Sequence, residues 1–199
     1  MSRPRSHCRC SAVSEPRPLV DKIGGGLLRA QGVEGLRRAC AEATEMARAR
    51  PVLVVPGGGP FADAVRDLDA RLGLGDDVAH ALALRAMDQF GVLLEPLLPG
   101  AERLTRLAPP CSLGLLVAAA AFDGRPDVPQ SWDVTSDSLA VLAAGAIGAD
   151  EAILLKPVGA QHEGAVDAYL PEAVRRTGVT VVIRTPGPGG GSGTRITSG

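Results

Sequence analysis

Short apolar runs alternate along this chain with stretches in which apolar residues recur every three or four positions. The runs Leu19–Val20–Asp21–Lys22–Ile23, Val52–Leu53–Val54–Val55, 152–156, 179–183 and Thr194–Arg195–Ile196 predict strands. Val33, Leu36, Ala39, Cys40, Ala43 and Met46–Ala47 fall on one face of a helix predicted over 33–49. Phe61, Val65, Leu68 and Leu72 repeat in the same way, with Pro60 suited to a first helical turn and Gly73 to its end. Further helices are expected from 76 to 90, closed by Gly91, and over 163–176. The stretch 138–147 is apolar on nearly every side, so its helix should be buried. A Pro-rich segment surrounds a short helix expected at 101–107. Residues 113–122 fit a strand or a helix equally, and 123–131 reads as a loop.

This alternation predicts an α/β fold, a three-layer α-β-α sandwich around a mostly parallel central sheet. Ligands in such folds bind outside the carboxyl ends of the strands. No repeat of 20 to 50 residues interrupts the pattern. Residues 18–199 read as one domain, and 1–17 as a disordered, basic, Pro-rich tail.

Two of the strands end in three consecutive glycines, Gly24–Gly25–Gly26 and Gly57–Gly58–Gly59. Glycine leaves its backbone N–H unobstructed, so a glycine turn that opens a helix makes a site for phosphate. The spacing matches neither a dinucleotide fingerprint nor a P-loop.

Composition narrows the possibilities. The 199 residues carry 21 Lys and Arg against 22 Asp and Glu, a net charge of −1 that argues against nucleic acid as a partner. Hydrophobic residues reach 45%, yet no window is long and uncharged enough to span a bilayer. The arginine-bearing start has no apolar signal region, and the expected location is cytoplasmic. Cys8 and Cys10 with His7 form half of a zinc-type cluster and are read as free thiols, so no metal site is assigned to protein ligands. Cys40 and Cys111 sit among apolar residues and are expected to pack.

Several charged residues fall where ligands bind. Lys22 closes a buried strand, where an ammonium needs an anion: a salt bridge with Asp137, or the oxygens of a transferring phosphoryl group. Asp137 opens the apolar helix, either as its cap or as the group that holds lysine ammoniums or magnesium near phosphates. Asp133 admits the same pair of readings. Lys156 ends the next strand, a second cation on the same sheet edge. Arg66 reaches either solvent or an anionic substrate. His80 is either a hydrogen-bonded helix residue, the commoner fate, or a group that contacts substrate or titrates as a base.

In this order Lys22–Ile23–Gly24–Gly25, Val54–Val55–Pro56–Gly57–Gly58–Gly59, Thr135–Ser136–Asp137–Ser138, Leu154–Leu155–Lys156 and Gly193–Thr194–Arg195–Ile196 resemble the amino acid kinase superfamily. That group includes acetylglutamate, aspartate, uridylate and isopentenyl phosphate kinases. The segments 58–66, Ala86–Met87–Asp88–Gln89–Phe90–Gly91 and 131–138 look like its archaeal-type branch acting on aminomethylfuran-methyl phosphate in methanofuran synthesis. The chain departs from the family's Val-Asp-Gly type turn after Lys156, reading Pro157–Val158–Gly159–Ala160–Gln161–His162–Glu163.

The resemblance implies an ATP-dependent, magnesium-assisted kinase acting on a small phosphate monoester and forming a diphosphate, and a homo-oligomer is expected. Lys22, Asp137 and Lys156 would be catalytic, Gly24, Gly25, Gly26 and Lys156 would hold the nucleotide, and Gly57, Gly58, Gly59, Arg66 and Asp133 the acceptor. Nucleoside monophosphates and isoprenoid phosphates remain open as acceptors, as does storage of molybdate or tungstate without catalysis.

Overall fold

The computed structural model describes residues 16–160, 165–187 and 193–198. Seven strands form one sheet: β1 (Leu19–Ile23), β2 (Val52–Pro56), β3 (Glu102–Leu104), β4 (Leu113–Leu116), β5 (Glu151–Leu155), β6 (Thr180–Arg184) and β7 (Thr194–Ile196). Their spatial order is β3-β4-β2-β1-β5-β6-β7, parallel throughout except for the antiparallel β6–β7 pair. Among the described residues the α-helices are α1 (Gly25–Met46), α2 (Gly59–Leu72), α3 (Asp76–Leu94), α4 (Ala118–Phe122), α5 (Ser136–Ala146) and α6 (Leu170–Thr177), with a 3-10 turn over Glu95–Leu97.

β1 lies at the sheet's centre, and its alternation divides the two cores. Leu19 and Ile23 join α1 residues Leu36, Ala39, Cys40 and Ala43 on one face. Val20 joins α4, α5 and α6 on the other. The expected three layers follow from this division. α5 carries Leu139, Ala140, Val141, Ala143 and Ala144, all buried, as a nearly all-apolar helix requires.

The chain moves from β1 to β2 on one side and later returns to place β5 on the other side of β1. Such a reversal opens a crevice at the carboxyl ends of the two strands, where α/β sheets bind ligands. Lys22 lies in β1, paired in register with Leu154 of β5, and Lys156 follows β5 directly.

Some elements differ from the reading of the sequence. Residues 102–104 form the edge strand β3 in place of a helix, held by pairing with β4. The ambiguous stretch is both things in turn, β4 and then α4. α1 begins at Gly25, within the glycine run, and is interrupted at Gly32, whose φ of +63° suits glycine. α3 runs through Gly91 to Leu94. α6 starts only at Leu170; the expected beginning at 163 falls partly on 161–164, outside the described residues. Cys40 is buried as expected, whereas Cys111 is exposed. Cys111 sits in the link before β4, its N–H donating to Glu102 Oε1 at 2.6 Å. The tail with His7, Cys8 and Cys10, and most of the glycine-rich segment before β7, lie outside the described residues.

Candidate active site

Five polar side chains are buried among the described residues: Asp21, Lys22, His80, Asp137 and Ser138. Lys22, His80 and Asp137 line one cavity of about 410 Å³ at the carboxyl end of the sheet. Burial of an ammonium is costly without an anion, and each lysine at this edge has found the same one. Lys22 Nζ lies 2.9 Å from Asp137 Oδ1, and Lys156 Nζ donates to Asp137 Oδ2 at 2.6 Å. Burial alone would push the Asp137 carboxyl up, but the two lysines outweigh it and hold the group below the usual carboxylate range. Lys156 titrates below an ordinary lysine because it is desolvated and faces Lys22; Asp137 and Asp167 oppose that shift.

Asp137 owes its place to α5. Its helix runs antiparallel to the strands it precedes, which brings the helix start to the cavity. Asp167 fixes that start: Thr135 N–H (2.9 Å), Thr135 Oγ1 (2.7 Å) and Ser138 N–H (3.0 Å) all donate to Asp167 Oδ2, and Ser138 Oγ donates to Oδ1. Lys156 Nζ also donates to the Ala165 carbonyl at 2.8 Å. The segment 165–167 thus ties both Lys156 and the α5 start. Sequence reasoning missed Asp167, because a cap supplied from 29 residues downstream leaves no local signal.

The two glycine turns pack against each other. A Cβ on Gly25 would collide with Gly59 Cα, and one on Gly57 would lie 2.8 Å from Gly24 Cα. Gly59 has φ +54°, and a Cβ there would lie 2.6 Å from the Phe90 ring. All six glycines line the cavity. Gly25 and Gly59 begin α1 and α2, so two helix N-termini open onto it.

The mouth is built from α2 and the loop before α5. Trp132 Nε1 donates to Asp69 Oδ2 at 2.8 Å, pinning that loop to α2. The Arg66 guanidinium stacks over the Trp132 ring, 4.7 Å from its centre, and pairs with Asp63 at 3.3 Å. Arg29 of α1 reaches Asp63 as well. Arg66 and Asp133 both line the cavity; Asp133 is exposed, and its carbonyl accepts from Tyr169 N–H at 3.0 Å. Every residue expected at the site therefore borders one cavity. Among the described residues, no group of three or more His, Cys, Asp or Glu is arranged to hold a metal ion.

Residues 17–160 match the family model of the amino acid kinase family. The chain belongs to the amino acid kinase family. It is similar to the 5-(aminomethyl)furan-3-yl methyl phosphate kinase of Methanocaldococcus jannaschii, with 25% identity over 114 residues, 55% of this chain and 53% of that protein. The chain thus spans about half the length of this curated relative. Uridylate kinase from Archaeoglobus fulgidus has a similar fold, with a TM-score of 0.62 at 18% identity over 83% of this chain and 89% of that one. UMP kinase from Ureaplasma parvum gives 0.63 at 14% over 85% and 89%. Aspartate kinase from Synechocystis gives 0.64 at 16% over 91% and 40%. The amino acid kinase fold expected from the sequence is the fold observed.

Proposed function

We propose that this amino acid kinase family member transfers the γ-phosphoryl group of ATP to a phosphate monoester, with aminomethylfuran-methyl phosphate as the acceptor. The observation that carries this reading is the buried Lys22–Asp137–Lys156 array beside two helix-opening glycine turns. Similarity to the M. jannaschii furan phosphate kinase supports this choice of acceptor.

Phosphoryl transfer depends on positioning and on neutralising charge more than on covalent help from the protein. Lys22 would face the oxygens of the transferring group. Lys156 would face the donor phosphates, with Asp137 holding both ammoniums in place. The N–H groups of Gly24, Gly25 and Gly26 suit donor phosphates, and those of Gly57, Gly58 and Gly59 suit the acceptor. The close packing at Gly25 and Gly57 is what a backbone cradle needs, since any Cβ would fill it. Arg66, held on Trp132, would meet the acceptor's phosphate, and Asp133 would stand at its edge. Magnesium suits this site as an ion carried by nucleotide phosphates, which it usually binds with few protein ligands.

Residues 18–199 would act as one catalytic domain, in the cytoplasm and as a homo-oligomer. No helix among the described residues is long and apolar enough to cross a membrane. The test is release of ADP from ATP and magnesium in the presence of the furan phosphate, compared with UMP and isopentenyl phosphate. Acceptor-dependent ADP with the furan ester supports the reading; preference for either other ester replaces its acceptor.

A further inference from the structure

His80 stands apart from the ion-pair array and is not explained by it. It lies on α3, 6% exposed, and no group among the described residues hydrogen-bonds its imidazole. Its ring nitrogens are not among the fully enclosed unpartnered atoms, so they open onto the cavity, where a ligand or a water can meet them. The expectation of a hydrogen-bonded helix histidine is not met.

The surroundings indicate where such a ligand group would come from. His80 lines the main cavity, and it also borders a smaller adjoining one of about 10 Å³. The two share His80, Ala83, Trp132 and Val134, and the smaller continues to Asp76 and Ser131. In the main cavity the cations Lys22, Lys156, Arg29 and Arg66 are matched by Asp63, Asp133, Asp137 and Asp167, whereas the extension past His80 is edged by the Asp76 carboxylate and, among the described residues, by no cation. Burial lowers the affinity of His80 for a proton, partly opposed by Asp123, and so favours the neutral ring. A neutral imidazole offers one nitrogen as an acceptor.

We propose that His80 is a specificity-determining residue that, with Asp76, receives an ammonium group at the end of the acceptor remote from its phosphate. This rests on the acceptor reading above and deepens it. The acceptor class is a phosphate monoester with a cationic amine at its far end, joined by a spacer compatible with Ala83 and Val134. A site that hydrogen-bonds a substrate group rejects analogues lacking it, because its own polar groups are left unpaired.

The experiment compares two esters, aminomethylfuran-methyl phosphate and its analogue with methyl in place of aminomethyl. Turnover is measured by ADP release, and binding by calorimetry without ATP. Wild type should favour the amine on the order of 100-fold in kcat/KM. His80→Leu should collapse that ratio toward one, and His80→Gln, which retains an acceptor, should restore part of it. Thermal melting checks that each variant is folded, and the wild-type ratio needs no variant at all. Equal use of both esters by wild type, or an unchanged ratio in folded His80→Leu, overturns the role of His80 while leaving the kinase reading intact. Absence of turnover with either ester overturns the acceptor reading instead. Binding then decides for His80: an amine preference lost in His80→Leu supports it, and equal binding refutes it.

Discussion

Lys22 Nζ stands 2.9 Å from Asp137 Oδ1, and both side chains are more than nine-tenths withdrawn from solvent. An ion pair this deep is a poor way to gain stability, because desolvation offsets most of the attraction. Its removal is asymmetric. Asp137→Ala strands two ammoniums in one buried site and should destabilise the fold by about 3–5 kcal/mol. Lys22→Ala leaves Asp137 paired with Lys156 and should keep the fold. Turnover should fall on the order of 100-fold or more in either variant. Melting curves beside ADP-release rates check both halves, and a Lys22→Ala protein with wild-type turnover would contradict the assigned role.

Asp21, one residue earlier, faces the opposite layer. Both of its carboxylate oxygens are buried without a partner, and its pKa is raised to about 7. Burial is the main cause; Arg184 draws it back and Glu42 adds to it. The native state therefore keeps this proton between pH 4 and 7 while the unfolded chain loses it. Its stability contribution is fully present below the unfolded value of 3.8 and is lost as pH rises through about 7. The size is on the order of a few kcal/mol across that window. Urea unfolding of wild type and Asp21→Asn at several pH values should show this downward slope in the difference between them. Parallel profiles would contradict it.

Asp167 should behave as a positioning residue. Asp167→Ala removes the acceptor for the α5 start and should cost about 1–2 kcal/mol. Because the same segment holds Lys156 through Ala165, kcat should fall more than acceptor KM rises. Asp167→Asn should recover part of both losses. Steady-state kinetics with denaturant melts separates these effects, and a variant with lowered stability but unchanged kcat would leave Asp167 a cap alone.

The adjacent glycines of the first turn should differ sharply. Alanine at Gly25 collides with the Gly59 backbone, whereas at Gly26 it meets only Pro157 Cδ, at 3.6 Å. Gly25→Ala should lower the melting temperature by several degrees, and Gly26→Ala should scarcely change it. Equal melting temperatures for the two would contradict the packing of one turn on the other.

Much of this molecule was legible in its residues. The β1 and β2 runs, their glycine ends and the all-apolar α5 carry periodicities that tertiary contacts reinforce. Lys22, Asp137 and Lys156 could be placed together because parallel strands bring their carboxyl ends to one edge. What escaped depended on distant partners. β3 is a strand only because β4 lies beside it. Asp167 caps a helix that begins 31 residues before it. The start of α1 inside a glycine run was hidden because glycine is a weak helix former, and contact with Gly59 decides its place.

The central claim is that the two lysines and one carboxylate move a phosphoryl group onto a phosphate. Incubation with γ-labelled ATP, magnesium and aminomethylfuran-methyl phosphate, followed by phosphorus NMR, tests it most directly. The label should appear in a diphosphate ester with wild type and be nearly absent with Lys22→Ala. Label that stays in ATP, or is released only as inorganic phosphate, would contradict the account.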